Sequence, residues 1–279
     1  MFNNLVSRYR NPESGNEVKF ALYDVNQAAV DKIIKYHDSE HPNVPLASCS
    51  SPYDVAQKAS TIISMVPTGK HVQDVYVGQG KSVLNALKDI SQDQRAETLC
   101  IDQSTIEKSI SKSVALQLRQ IGADLVDAPV SGGVIGAEKG TLAIMVGGSK
   151  TSYDRSVPVL QSMARKVTYC GDLGAGLAAK ISNNSTGRCW SSEINHPVPE
   201  VKVGDSSPPA HRNYEGGFVT KLAHKDLALA ISAAEEANVP LAVGRCVEET
   251  YRPLARSKEF GDRDFSVIYE ALDSLARRQ

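Results

Sequence analysis

The chain has 279 residues, of which 41% are hydrophobic and 23% charged, and its formal net charge is −1. This balance is typical of an ordinary globular protein with room for two modest domains. The near-zero charge gives no indication of a nucleic-acid footprint or of an anionic membrane surface as partner. No apolar run reaches the roughly 18 residues that a membrane-spanning helix needs.

The five cysteines are scattered without a CxxC pair, and the six histidines lack metal-ligand spacing. An odd number of scattered cysteines predicts free thiols in a reducing compartment. We therefore expect neither a disulfide framework nor a metal site.

Short apolar runs alternate with amphipathic helical stretches in the first part of the chain. This alternation predicts an α/β fold, with a mostly parallel sheet domain over residues 1–170 and a smaller all-α domain over residues 171–279. The expected strands are residues 18–23 (VKFALY), 61–66 (TIISMV), 98–102 (TLCID), 123–130 (ADLVDAPV), 141–148 (TLAIMVGG) and 166–171 (KVTYCG).

The second part begins helically and then runs through a polar, proline-rich stretch, residues 185–217, without usable periodicity. A structureless stretch of this length is unusual inside a compact domain. Three helices are expected after it. The last of them starts at a capping aspartate, Asp262 or Asp264, and buries Leu272 among other residues.

Asp24 ends the first expected strand. In a dinucleotide-binding unit, an acid at the end of the second strand accepts hydrogen bonds from the adenosine ribose and disfavours the extra phosphate of NADP. Taken alone, Asp24 is explained equally well as an ordinary strand-ending turn residue. The glycine fingerprint that should lie about twenty residues earlier does not occur in the residues that precede it.

Gly171, Gly174 and Gly176 imitate that fingerprint between a strand and a helix. No strand with a terminal acid follows about twenty residues later, as a dinucleotide loop requires. The favoured interpretation is a glycine-rich hinge that leads into a long helix, with a dinucleotide loop as the alternative.

The segment DAPVSGG places Ser131, Gly132 and Gly133 directly after a strand. Residues without bulk let backbone N–H groups approach a bound carboxylate, although a simple glycine turn has the same appearance. In AAKISNN, Lys180 and Asn184 are four residues apart and share a helix face. Such a pair can move a hydroxyl proton and hold an oxygen, whereas an isolated pair is usually a solvated surface.

Together these motifs resemble the β-hydroxyacid dehydrogenase family, and within it the 3-hydroxyisobutyrate dehydrogenases, over nearly the whole chain. The GRCWSS and KDL segments favour this group over 6-phosphogluconate dehydrogenase. The matching motifs are DAPVSGG with GTL and MVGG, GxGxAAKxxNN, TGRCWSS, HPVP and GGFxxxLxxKDL.

The resemblance implies a Rossmann-type NAD-binding domain, followed by a helical domain, and oxidation of 3-hydroxyisobutyrate to methylmalonate semialdehyde in valine catabolism. It implies Lys180 as the catalytic base with Asn184 as its partner, and Ser131, Gly132, Gly133 and Trp190 at the substrate. It also implies a homo-oligomer in the mitochondrial matrix. The cofactor contacts that it implies are Asp24, Val66, Pro67, His71, Thr105, Phe218 and Lys225.

Two departures from the family pattern stand beside these matches. The opening strand and its glycine loop are not found before the helix that begins the chain, and Asn184 runs directly into STGRCW, where the family continues a long helix. An internal deletion near 184–185 is therefore expected, together with weak NAD binding. No targeting peptide is visible, and any such segment would precede Met1. Two alternatives stay open, a semialdehyde reductase of the same family and a non-catalytic fragment.

Overall fold

The computed structural model describes residues 1–9, 18–186 and 209–276. The chain divides into two compact units. The first consists of Met1–Gly132 and Gly136–Lys180, and the second of Gly133–Ile135 and Ile181–Gln279. The chain passes from the first unit to the second inside one helix, directly after Lys180.

The first unit contains two sheets. Its strands are β1 (Phe20–Leu22), β2 (Leu46–Ser48), β3 (Thr61–Ser64), β4 (Leu99–Asp102), β5 (Asp124–Asp127), β6 (Val130–Ser131), β7 (Leu142–Gly147) and β8 (Ala164–Gly171). β1 and β2 form a parallel pair, and the other six strands form the larger sheet. In that sheet β3, β4 and β5 are parallel, and β7 pairs antiparallel with β5 and β6 and parallel with β8.

Helices connect and cover these strands. The helices that lie wholly or partly in the first unit are α1 (Phe2–Arg8), α2 (Gln27–Glu40), α3 (Pro52–Ala56), α4 (Gly69–Val77), α5 (Val83–Lys88), α6 (Gln92–Glu97), α7 (Lys108–Gln120), α8 (Gly133–Lys139), α9 (Lys150–Gln161) and α10 (Ala175–Thr186). The second unit adds α11 (Thr220–Glu236), α12 (Ala242–Arg256) and α13 (Ile268–Ala276), with 3-10 turns at Pro209–Arg212 and Phe265–Val267.

The central strand of the larger sheet, β4, is buried on both faces. Along β4, Cys100 packs into one hydrophobic cluster, whereas Leu99 and Ile101 pack into another. Side chains alternate between the faces of a strand, so a strand covered on both sides reads as a continuous apolar run. This is why β4, with the sequence LCID, contains no charged residue before its final aspartate.

The structure corrects two details of the expected sheet. The run at residues 123–130 forms two strands, β5 and β6, separated at Ala128 and Pro129, because proline has no N–H to donate to a ladder. Strand β2 was not expected from the sequence, since three residues of modest hydrophobicity give no periodic signal.

In the second unit, Asp264 is the capping residue, because its carboxylate accepts the Ser266 N–H at 3.0 Å. Asp262 instead forms an ion pair with Lys221 at 2.9 Å. The expectation that Leu272 is buried is wrong, since this residue is 52% exposed while Ala271 and Val267 are buried. The buried face of this segment is therefore rotated away from Leu272.

Candidate active site

Lys180 lies on α10 and is buried, with only 6% of its surface exposed. Charged residues are seldom buried to this degree without a specific role or partner. Asn184 follows four residues later on the same helix, so its backbone lies one turn further along the same face. The Asn184 side chain and all of Trp190 lie outside the described part of the structure.

The start of α10 is held by Asp127, the last residue of β5. Its Oδ1 accepts the Gly174 N–H at 2.6 Å and its Oδ2 accepts the Leu177 N–H at 2.7 Å. The first N–H groups of a helix have no partner within the helix, and a carboxylate there also meets the positive end of the helix dipole. The residue-by-residue reading of the sequence missed Asp127, although it is the first residue of DAPVSGG.

These bonds also decide the role of the motif formed by Gly171, Gly174 and Gly176. The Gly174 N–H is taken by Asp127, and a Cβ added to Gly176 would lie 2.4 Å from the Met145 carbonyl oxygen. The segment is therefore the packed start of α10 and does not form a phosphate-binding loop.

Ser131, Gly132 and Gly133 connect β6 to α8. Ser131 is half-buried and pairs with Ala143 of β7. Gly132 and Gly133 have backbone φ angles of 136° and 61°, which residues other than glycine rarely adopt. Both glycines are exposed, so the loop presents backbone rather than side chains at this point.

Val66 and Thr105 follow β3 and β4, and Ser104 links the two turns. The Val66 N–H donates to the Ser104 Oγ at 2.9 Å, and the Ser104 hydroxyl donates to Asp102 at 2.6 Å. Val66 and Thr105 are half-buried, and Pro67 is exposed. The two predicted cofactor turns are thus joined by a short hydrogen-bond chain.

His71 lies in the first turn of α4 and is exposed. Its Nδ1 is 2.7 Å from the Thr68 Oγ1, so the ring is oriented by the residue that precedes the helix. The carboxylate of Asp24 is exposed after β1 and accepts the Asn26 N–H at 2.8 Å. Asp24 therefore follows the smaller sheet, whereas Val66 and Thr105 follow the larger one.

Asp102 is fully buried at the end of β4. Its Oδ1 also accepts the Ser64 hydroxyl at 2.9 Å, and the Ser64 Oγ lies 2.8 Å from the Tyr76 hydroxyl. Burial raises the pKa of Asp102 to about 6, although the bonds from Ser104 and Ser64 oppose that shift. Burial also raises the pKa of Asp127.

Two predicted cofactor residues belong to the second unit. Phe218 stacks edge-on against Phe265, with ring centroids 6.3 Å apart, and donates its N–H to Asp264 at 2.9 Å. Lys225 on α11 is half-buried, and its Nζ lies 3.3 Å from the carboxylate of the adjacent Asp226. Asp226 itself is buried.

In the ranges that the structure describes, no group of three His, Cys, Asp or Glu side chains could hold a metal ion. None of the helices described is both long and apolar enough to cross a lipid bilayer.

Two family models match the chain in succession. Residues 5–171 match the NAD-binding domain of 6-phosphogluconate dehydrogenase, and residues 168–272 match the "NAD-binding of NADP-dependent 3-hydroxyisobutyrate dehydrogenase" family. The chain therefore has the domains of an NAD-binding oxidoreductase, as the resemblance predicted.

Named relatives point the same way. The mitochondrial 3-hydroxyisobutyrate dehydrogenase of Mus musculus is 36% identical, with 80% of this chain and 73% of the mouse protein covered. A probable mitochondrial 3-hydroxyisobutyrate dehydrogenase of Arabidopsis thaliana is 34% identical, with 90% and 80% covered.

Among solved structures, the Mycobacterium tuberculosis 3-hydroxyisobutyrate dehydrogenase with L-serine superposes with a TM-score of 0.72 at 29% identity. The match covers 96% of this chain and 93% of that one. The predicted Rossmann-type fold with a helical second part is confirmed. The chain belongs to the 3-hydroxyisobutyrate dehydrogenase family of NAD-binding oxidoreductases.

Proposed function

We propose that the protein catalyses NAD-dependent oxidation of 3-hydroxyisobutyrate to methylmalonate semialdehyde, a step of valine catabolism. The observation that carries the proposal is the buried Lys180, on a helix whose start is tied by Asp127 to the strand that leads into Ser131. A buried amine and a loop that presents exposed backbone together suit a substrate with one hydroxyl and one carboxylate.

In this mechanism Lys180 accepts the hydroxyl proton while the carbinol carbon becomes a carbonyl. A positioned general base of this kind contributes typically 10²–10⁴-fold to a rate. Asn184, one turn further along α10, holds the same oxygen or the lysine. Ser131 and the backbone of Gly132 and Gly133 bind the substrate carboxylate, and Trp190 lines the substrate pocket.

NAD, when bound, supplies the acceptor for the hydride of the carbinol carbon. The described residues fit the adenosine ribose and the nicotinamide end of such a dinucleotide, because an exposed carboxylate follows β1 and linked turns follow β3 and β4. A glycine loop for its pyrophosphate is not among the described residues, which is the reason for the weak NAD binding expected from the sequence. The carboxyl ends of parallel strands are where dinucleotides bind in this fold. The residues that we assign to the cofactor are Asp24, Val66, Pro67, His71, Thr105, Phe218 and Lys225.

We further propose a dinucleotide-binding domain over residues 1–170 and a helical domain over residues 171–279, with a deletion near 184–185. The alignment with the mouse enzyme has 256 positions, which is more than 80% of the 279 residues of this chain, yet it covers only 80% of the chain. The difference supports a gap in this chain relative to the mouse enzyme. We also propose that the protein acts in the mitochondrial matrix, as the names of its relatives suggest, and assembles as a homo-oligomer.

The test is steady-state formation of NADH with 3-hydroxyisobutyrate, compared with L-serine and with other hydroxymethyl acids. L-serine has an ammonium group where 3-hydroxyisobutyrate has a methyl group, and it appears with the solved mycobacterial relative. We expect kcat/KM to be highest for 3-hydroxyisobutyrate. Higher values for another acid would assign the protein to a different member of the family, and no turnover of any acid would contradict the proposed activity.

A further inference from the structure

The buried Asp127 connects the strand that leads into Ser131 with the start of the helix that carries Lys180. It ends β5, four residues before Ser131, and it is 1% exposed. The same carboxylate accepts N–H groups of Gly174 and Leu177 at the start of α10. Leu177 precedes Lys180 by three residues, so the two residues are neighbours on the helix surface.

The surrounding backbone leaves room for this carboxylate at two glycines. A Cβ on Gly147 would lie 2.5 Å from the Asp127 Oδ1, and a Cβ on Gly176 would lie 2.8 Å from its Oδ2. Real Cβ atoms do not approach other atoms so closely. Both glycines belong to motifs that the sequence singled out, MVGG and GxGxAAK, and the structure explains them by the space that Asp127 occupies.

Asp124, at the other end of the same strand, has different partners from Asp127. Asp124 is half-buried, forms an ion pair with Arg119 at 2.8 Å, and accepts a hydrogen bond from the Ser152 hydroxyl. Those partners belong to α7 and α9, neither of which carries a residue of the proposed site. Asp124 therefore serves as a matched control for loss of a carboxylate from β5.

We infer that Asp127 is a positioning residue of the reaction, which sets the place of Lys180 relative to the strand that leads into the substrate loop. The inference rests on the proposed function for its kinetic part. Displacements of about 1 Å at a catalytic group can lower a rate by about 10²-fold. A carboxylate that accepts two N–H groups of one helix start is suited to prevent such a displacement.

The substitution Asp127→Asn tests this inference, because an amide can accept from one N–H but places its own NH₂ against the other. We expect kcat for 3-hydroxyisobutyrate to fall about 10²-fold, with KM for NAD changed less than threefold. The deuterium isotope effect on kcat, for substrate labelled at the carbinol carbon, should rise because the chemical step becomes rate-limiting. Asp124→Asn should lower the unfolding temperature but leave kcat and the isotope effect unchanged.

A second readout does not depend on turnover. Amine-directed acetylation of the cofactor-free protein, followed by mass spectrometry, measures how often Lys180 becomes accessible. We expect Lys180 to be labelled at least about tenfold faster in Asp127→Asn than in wild type or in Asp124→Asn. Asp127→Ser, which removes both carboxylate oxygens without placing an NH₂ group against the helix, should behave in the same way and serves if the asparagine variant does not fold.

Equal labelling of Lys180 in all variants, or equal acceleration in Asp127→Asn and Asp124→Asn, would overturn the inference. Wild-type kcat retained in Asp127→Asn would overturn it as well. If wild type turns over no hydroxy acid, the proposed function fails, but the labelling rates still decide whether Asp127 positions Lys180.

Discussion

Three strands of the first unit end at or lead into an aspartate, but this aspartate is exposed next to the small sheet and buried in the larger sheet. Next to the small β1–β2 sheet, Asp24 is exposed and bonded to the nearby Asn26 N–H. In the larger sheet, Asp102 and Asp127 are register partners, and both are buried at 1% exposure. The exposed carboxylate is available to a ligand, whereas the buried ones hold the protein's own loops and helix.

This difference shows that an acid at the end of a strand does not by itself identify a ligand contact. Asp102 is tied to Ser64 and Ser104, and through Ser104 to the turn at Val66. Asp127 is tied to the helix of Lys180. We therefore assign the chemistry to groups supported by the larger sheet, and the choice of cofactor to Asp24.

The largest effect is expected at Lys180, whose helix is anchored to the larger sheet. Lys180→Ala removes the proton acceptor, so kcat should fall by about 10²–10⁴-fold while NADH affinity, measured by fluorescence titration, stays nearly unchanged. Lys180→Arg retains the charge but cannot lose its proton, and it should be equally inactive. The exposed Lys150→Ala should retain full activity. More than about a tenth of wild-type activity in Lys180→Ala would contradict the assignment of the base.

A second prediction concerns the cost of burying Asp102. Its pKa is raised to about 6 in the folded protein, so the folded state holds this proton more tightly than the unfolded state does. The stability contributed by protonation of Asp102 is present below pH 4 and is lost as the pH rises through 6. Asp102→Asn removes this titration, and its amide oxygen can still accept from Ser64 and Ser104.

The free energy of unfolding of Asp102→Asn, relative to wild type, should therefore increase between pH 4 and pH 7.5, by up to about 3 kcal/mol for two pKa units. Urea unfolding at both pH values measures it. The control is Asp54, whose pKa is lowered by hydrogen bonds from the Ser50 and Ser51 side chains. Asp54→Asn should show almost no change between these pH values, because this carboxyl group titrates mainly below pH 4 in both the folded and the unfolded state. A pH-independent difference for Asp102→Asn would show that its carboxyl group titrates normally.

The smallest effect is expected at Asp24. A carboxylate at the ribose repels the extra phosphate of NADP, so kcat/KM should favour NAD by about tenfold or more, equivalent to about 1.4 kcal/mol. Asp24→Ala should bring the two cofactors within about threefold of each other. Asp31→Ala, which removes an exposed carboxylate from α2, should leave the preference intact. An unchanged ratio of kcat/KM for NAD to that for NADP in Asp24→Ala would show that Asp24 does not select the cofactor and has a structural role, like Asp102 and Asp127.

Much of the fold can be read from the sequence. Strands β3, β4 and β7 were predicted because each is a mostly apolar run, as expected for strands that are largely covered on both faces. The break at Pro129 and the three-residue β2 were not, since the first depends on which backbone groups pair and the second lacks a periodic pattern. Leu272 was misassigned because a helix with apolar residues on two sides does not show which side is covered.

For the site, local sequence determined which residue types occur at which spacing: the glycines after β6, the lysine and asparagine four apart, and an acid after each of three strands. Only the tertiary structure decided the roles of those acids. Asp24, Asp102 and Asp127 look alike in sequence. Asp24 is exposed and bonded only to the nearby Asn26 in the hydrogen bonds described, whereas Asp102 and Asp127 bond to segments up to 50 residues away. A carboxylate's pKa and availability depend on what surrounds it in space, and those neighbours are brought together by folding, not by sequence order.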